Sequence, residues 1–76
     1  MFSVDKSVDG HTLTLNVHDC PGASITVTLK PFGPTIDATS ITGSNPLVAT
    51  FNLGTGSYDI TVVCGPDTFN DTVTIS

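Results

Sequence analysis

Two cysteines, two histidines and seven aspartates carry most of the reactive side chains in this sequence of 76 residues. A catalytic thiol needs a nearby positive charge that lowers its pKa, and no lysine or arginine lies close in sequence to Cys20 or Cys64. His11 and His18 are seven residues apart in one alternating stretch, so their side chains point to opposite faces and cannot share a metal ion without distortion. We therefore expect neither a catalytic cysteine nor a histidine metal site.

The seven aspartates are scattered along the chain, and none of them forms the D-x-D-x-D-G pattern of a calcium loop. A calcium ion held at a loop end is the lesser alternative to aspartates that simply serve turns. The sequence has no G-x-S-x-G motif, no paired glutamates and no Ser/His/Asp arrangement supported by its context. We predict a protein without catalytic activity, cofactor or metal.

The balance of charge excludes two classes of partner. The chain has seven aspartates and only two basic residues, Lys6 and Lys30, which gives a formal net charge of −5. Such a chain has no means of gripping phosphates, so we expect binding to neither nucleic acid nor an anionic membrane. Asn70-Asp71-Thr72 fits the glycosylation sequon, which matters only in a eukaryotic secretory pathway. The first residues lack the basic and apolar regions of a signal peptide, so we expect no export leader, or one already removed.

The elements that must position these side chains are strands. Thirteen threonines and many valines and isoleucines occur beside no Glu, Gln, Arg or Trp, a composition that favours pleated sheet and predicts an all-β fold. The length predicts one domain over residues 1–76. A chain this short buries only roughly 60% of its unfolded surface, so its core needs a supplement such as a disulfide, a metal or a partner.

Apolar alternation is clearest from Gly56 to Cys64, where every second residue from Tyr58 onward faces one side. The other rows that we expect to point inward are Leu13, Leu15, Val17; Ile25, Val27, Leu29; Leu47, Ala49, Phe51, Leu53; and Val73, Ile75. Turn signals separate these rows and predict six or seven strands in a sandwich or small barrel. The period slips between Thr35 and Thr42, which indicates an edge strand with a bulge or an irregular crossing.

The stretch Gly54-Thr-Gly-Ser-Tyr58-Asp-Ile60-Thr-Val62 is similar to the G-x-Y-x-V-x-V strand of bacterial and phage immunoglobulin-like (Ig-like) modules. The segment from Tyr58 to Ser76 also resembles the ending of PKD-type repeats. The resemblance implies an Ig-like antiparallel β-sandwich of six to seven strands. The chain departs from antibody domains, because it has no core Trp and Tyr58 precedes Cys64 by six residues instead of two. Recognition through hypervariable loops is therefore not implied.

The Ig-like topology bears on the two cysteines. In that topology the second and sixth strands lie on opposite sheets and run in the same direction. Cys20 would end the second strand and Cys64 the sixth, so both would lie at one end of the sandwich. A disulfide there would close a loop of about 45 residues and contribute about 4 kcal/mol in the chain-entropy model. The alternative is two buried free thiols, as in a reducing cytosol. The sequence leaves both alternatives open.

Without catalytic groups, function must come from surfaces. We expect a structural or binding module that docks on a larger protein assembly, most concretely a phage or virus accessory protein such as a capsid decoration protein. Such a protein is made in the host cytoplasm, is located on the virion surface and can form homo-oligomers on the assembly. The candidate partner contacts are Phe2, Val4 and Phe32, where Phe32 has the alternative role of capping the open end of the sandwich.

The second hypothesis is an extracellular adhesion or carbohydrate-binding Ig-like module excised from a larger surface protein. Such a module would work at the cell surface. Neighbouring domains in the same gene would favour it, whereas an isolated reading frame among capsid genes would favour the first hypothesis.

Overall fold

A computed structural model describes residues 1–76 and contains eight β-strands and no helix. The strands are β1 (Ser3–Asp9), β2 (Thr12–His18), β3 (Ser24–Leu29), β4 (Thr35–Ile36), β5 (Ser40–Thr42), β6 (Leu47–Asn52), β7 (Gly56–Cys64) and β8 (Asp67–Ile75). No helix long and apolar enough to cross a membrane is present.

The strands form two antiparallel sheets of four, in the orders β1-β2-β6-β5 and β4-β3-β7-β8. The prediction of an all-β, antiparallel, two-sheet structure is confirmed. Strand β7 lies inside its sheet, between β3 and β8, as the alternation from Tyr58 to Cys64 predicts. In this strand Tyr58, Ile60 and Val62 are buried and Val63 is exposed on the outer face.

The predicted number of six or seven strands is wrong, because the stretch from Thr35 to Thr42 forms two strands. The chain pairs with β3 at Thr35 and Ile36, then leaves that sheet and pairs with β6 from Ser40 to Thr42. At the crossing the Thr39 N–H donates to Thr50 O at 2.7 Å. The irregular alternation of apolar residues between Thr35 and Thr42 therefore reflects a change of sheet. Where the chain crosses from one sheet to the other, the alternation of inward and outward side chains starts anew.

The last strand, β8, begins at Asp67, well before the predicted inward row of Val73 and Ile75. Only Gly65 and Pro66 separate β7 from β8, and Cys64 pairs directly with Asp67. Gly65 has a φ of 56°, a left-handed conformation that glycine adopts without steric cost and that lets the chain reverse at this point.

The core consists of thirteen buried residues, all of them apolar or aromatic, contributed by both sheets. Each belongs to one of the predicted rows: Leu13, Leu15, Val17, Val27, Leu47, Ala49, Phe51, Leu53, Tyr58, Ile60, Val62, Val73 and Ile75. Ile25 and Leu29, which were also expected to point inward, are half-buried against this cluster. No buried side-chain nitrogen or oxygen lacks a hydrogen-bond partner.

Tyr58 places the only phenol of the chain in this core. Its hydroxyl donates a hydrogen bond to Gly54 O at 2.8 Å, four residues upstream in the connection between β6 and β7. The ring thus packs among apolar side chains while its polar end fastens the loop that leads into β7.

Candidate functional site

The two cysteines form a disulfide in the structure, so the alternative of two free thiols does not hold there. Cys20 follows the end of β2 and Cys64 ends β7, and their Cα atoms are 6.1 Å apart. The cross-link therefore joins one sheet to the other at a single end of the molecule. With this bond in place the chain has no free thiol.

A small polar network lies beside the disulfide and centres on Asp19. The Asp19 N–H donates to Asn45 Oδ1 at 3.0 Å, and Asn45 Nδ2 donates to Asp19 Oδ1 at 3.1 Å. The terminal ammonium of Met1 donates to Asp19 Oδ2 at 2.8 Å. The ammonium and the Asn45 amide hold the pKa of Asp19 below its usual value, because both favour the charged carboxylate. The network ties the N-terminus to two loops at this end.

The two histidines have separate partners. His11 Nδ1 lies 2.9 Å from Leu53 O, so this nitrogen carries the hydrogen and donates it to the carbonyl. His18 Nε2 lies 3.0 Å from Asp5 Oδ2 on the neighbouring strand. Nowhere in the structure do three His, Cys, Asp or Glu side chains come together as a metal would require. Each histidine is thus bonded to a neighbouring strand or loop of the chain.

One open edge of the sandwich, between β1 and β8, is closed by an ion pair. Lys6 lies opposite the buried Leu15 and so points toward the gap between the sheets. Its ammonium donates to Thr72 O at 2.8 Å and lies 3.0 Å from Asp71 Oδ2. The Thr72 N–H, which donates to Asp71 Oδ1 at 2.8 Å, and the Lys6 ammonium together lower the pKa of Asp71. Sequence reasoning missed this pair, since 64 residues lie between its members.

The opposite open edge, between the short strands β4 and β5, carries a few apolar side chains among exposed threonines and a serine. Phe32, in the loop that leads into β4, is fully exposed, and Ile41 on β5 is 56% exposed. Ile36 on β4 is half-buried against the core. We call Phe32, Ile36 and Ile41 the apolar edge. Asp37 is the only charged residue between β4 and β5.

The loop that carries Phe32 is held in place by backbone contacts. The Gly33 N–H donates to Leu29 O at 2.8 Å, and the Leu29 N–H donates to Pro34 O at 3.1 Å. A Cβ on Gly33 would lie 2.5 Å from Leu29 O, so only glycine fits this turn. Phe32 itself has a φ of 58°, a strained region for a bulky residue. The ring projects into solvent, and the alternative that Phe32 caps the sandwich is wrong.

The other two candidate contacts lie elsewhere. Phe2 and Val4 are both half-buried and pack against the core cluster. Val4 lies opposite the buried Val17 of β2, so its side chain faces the gap between the sheets. The structure therefore does not bring Phe2 and Val4 together with Phe32 into one exposed patch.

The surface has one concave feature, a shallow open depression of about 370 Å³ over β7 and β8. It is lined almost entirely by polar residues: Asp59, Ile60, Thr61, Asn70, Asp71 and Thr72. We call it the polar depression. Its position over two adjacent strands was not predicted from the sequence, because the residues that form it come together only through the register of β7 and β8.

Comparison with protein-family models, curated proteins and solved structures finds no match for this chain.

Proposed function

We propose that this chain is an Ig-like attachment module without catalytic activity, which docks on a larger protein assembly through the apolar edge. The observation that carries the proposal is Phe32, a fully exposed aromatic side chain on a loop fixed by its own backbone hydrogen bonds.

Two features support the Ig-like assignment. Ig constant-type domains order their strands A-B-E-D in one sheet and C-F-G in the other. We leave out β4, which is an additional strand beside β3, and letter the other seven strands in chain order. The order β1-β2-β6-β5 then corresponds to A-B-E-D, and β3-β7-β8 corresponds to C-F-G. The Tyr58 hydroxyl also bonds back to Gly54 O at the corner before β7, which resembles the tyrosine corner of such domains.

The energetics of Phe32 favour an anchor. Moving a phenylalanine side chain from water into a protein pocket gains roughly 1.5–3 kcal/mol. Because the loop is already ordered, its residues lose little conformational entropy on binding. A positive φ at a bulky non-glycine residue costs on the order of 1–3 kcal/mol, and such strain tends to occur where function requires a particular side-chain direction.

The charge of the chain favours a protein as the partner. Nucleic acid and anionic membranes repel a chain of net charge −5. The apolar edge, with a single aspartate, can be covered by an apolar protein surface at little cost in ion desolvation. The most concrete form of the proposal is an accessory protein of a phage or virus particle, such as a capsid decoration protein. Disulfides persist on virion surfaces, which is compatible with Cys20–Cys64.

Co-sedimentation tests this function directly. The genes beside the gene for this chain identify the shell protein, and shells assembled from that protein are mixed with the purified chain. We expect the chain to pellet with the shells and Phe32→Ala to bind about tenfold more weakly or worse, as for an interface hot spot. Thr26→Ala, on the outer face of β3, is the matched control and should bind like the unmodified chain. Absence of pelleting, or equal binding by Phe32→Ala, would contradict the proposal.

The disulfide favours a second candidate function, an extracellular adhesion module that belongs to a larger surface protein. Disulfides form and persist in oxidising spaces such as the cell surface and are rare in the cytosol. Further adhesion-type domains encoded in the same reading frame would support this candidate, whereas flanking capsid genes would support the first.

A further inference from the structure

We propose that the polar depression binds a neutral ligand rich in hydroxyl groups, in the form of a short saccharide chain. The depression lies on the outer face of β7 and β8, whereas the apolar edge lies at the opposite edge of the sandwich, between β4 and β5. The two sites are therefore separate, and this proposal stands without the attachment function.

The register of β7 and β8 creates a square of four polar side chains. Asp59 lies opposite Thr72, and Thr61 lies opposite Asn70, so all four point outward from the sheet. The Thr61 hydroxyl donates to Asn70 Oδ1 at 3.2 Å. This bond orients the amide and leaves both Asn70 Nδ2 hydrogens without a partner in the protein. The floor is formed by the backbone, since Ile60 itself is buried in the core.

Asp59 supplies the acceptors of this square. Its Oδ1 lies 3.8 Å from the Lys30 ammonium, which neutralises part of its charge while the carboxylate stays more than half exposed. A carboxylate that accepts from hydroxyls and an amide that donates to them suit a ligand whose groups both donate and accept. The two threonine hydroxyls add groups of the same dual character.

The same side chains exclude other classes of ligand. An anion would meet the Asp59 carboxylate on a chain of net charge −5. For a cation, the structure brings together no group of three His, Cys, Asp or Glu side chains. An apolar ligand would find no exposed apolar side chain in the lining, because the single apolar residue there, Ile60, is buried. A neutral polyhydroxylated ligand is the class that fits.

The surface beside the depression favours a chain over a single sugar. The polar rows continue onto β3, where Thr26 lies opposite Thr61 and Thr28 lies opposite Asp59. Adjacent strands are about 4.8 Å apart, so each row offers polar groups at regular steps across roughly 10 Å. Consecutive sugar units laid across the strands would meet such groups along that path.

The test is a titration of the ¹⁵N-labelled chain followed by NMR, with the β-1,4-linked tetramers of glucose and of N-acetylglucosamine, maltotetraose, and glycerol as the small polyol. We expect at least one tetramer to shift the amides of residues 59–61 and 70–72 saturably, with a Kd on the order of 1 mM. Glycerol should produce no saturable shift at the same concentrations.

Variants decide whether the depression is the site. Asp59→Ala and Asn70→Ala both alter exposed outer-face positions, and each should weaken binding by about tenfold or more. Asp37→Ala removes an exposed carboxylate outside the depression and should leave binding unchanged. The proposal is overturned if no tetramer gives saturable shifts up to about 20 mM. It is equally overturned if the shifts map elsewhere, or if Asp59→Ala and Asn70→Ala both bind like the unmodified chain.

Discussion

Reduction of the Cys20–Cys64 disulfide should remove a large part of the stability of this fold. The two cysteines are 44 positions apart, so the bond closes a loop of about 45 residues in the unfolded chain. The chain-entropy relation then gives a stabilisation of about 4 kcal/mol at 25 °C. A domain of this length has a free energy of unfolding of roughly 4–11 kcal/mol, so the reduced chain would keep roughly 0–7 kcal/mol of it.

Urea unfolding of the oxidised and reduced chain measures this difference. With a slope of about 1 kcal/mol per M, as for the smallest domains, reduction should lower the unfolding midpoint by about 4 M. The double variant Cys20→Ala/Cys64→Ala separates the effect of the cross-link from that of the reductant, and its midpoint should lie near that of the reduced chain.

The result that would refute this reasoning is a loss of less than about 1 kcal/mol on reduction, since the entropy of a 45-residue loop cannot be that small. A mass measurement that finds two free thiols in the isolated protein would refute its premise. The m-value must also be compared between the two forms, because a cross-linked unfolded chain exposes less surface to urea.

Three further changes test other parts of the structure. Tyr58→Phe removes the hydroxyl that donates to Gly54 O and should lower the free energy of unfolding by about 1–2 kcal/mol, measured by urea titration; no loss would mean that the bond is unimportant. Gly33→Ala places a Cβ 2.5 Å from a backbone oxygen and should cost about 1–3 kcal/mol, whereas the control Gly22→Ala meets open space and should stay within about 1 kcal/mol of the unmodified chain. The folded-state pKa of Asp71 lies below its usual value of 3.8, so its stabilising contribution is present above that value and is lost as the pH falls through the folded pKa. The urea midpoint of Asp71→Asn should therefore fall less than that of the unmodified chain as the pH drops below about 5, and an equal fall would contradict the assignment.

The sequence predicted the inner strands well because their burial is decided locally. Leu13, Leu15 and Val17 alternate with polar residues over a full strand, and a shift of one position would expose all three. The same is true of β6 and β7. The short strands β4 and β5 gave no such signal, since two or three residues do not establish a period and their pairing depends on where the chain changes sheet.

The candidate sites were less predictable because they depend on contacts between distant residues. Phe32 stood out in the sequence, but no pattern around Pro31 and Gly33 indicates whether its ring caps the sandwich or projects into solvent, as it does in the structure. The hydrogen bond from the Tyr58 hydroxyl was not predicted, because the number of residues between Tyr58 and Cys64 differs from that in antibody domains. The sequence signal for this bond was the spacing Gly54-x-Gly56-x-Tyr58, in which the Gly54 carbonyl precedes the tyrosine by four residues and lies within reach of its hydroxyl.

The contrast between the two open edges of the sandwich bears on how the proposed attachment would work. Strands β1 and β8 are long, with seven and nine residues, and a long unpaired edge invites the addition of a foreign strand. These two strands also carry most of the charged residues that lie in strands: Asp5, Lys6, Asp9, Asp67 and Asp71.

A strand that added to β8 would lie beside the pair formed by Lys6 and Asp71, and an inward-pointing charge at a sheet edge opposes such pairing. Strands β4 and β5 offer only two and three residues of backbone, too few for strand addition to contribute much. Contact at that edge must then come from side chains, with Phe32 and Ile41 as the apolar groups that water leaves when a partner covers them. In the proposed attachment, the Phe32 side chain therefore inserts into a pocket of the partner, and no strand is added to a sheet. Phe32→Ala should weaken this binding, whereas Asp71→Asn should leave it intact.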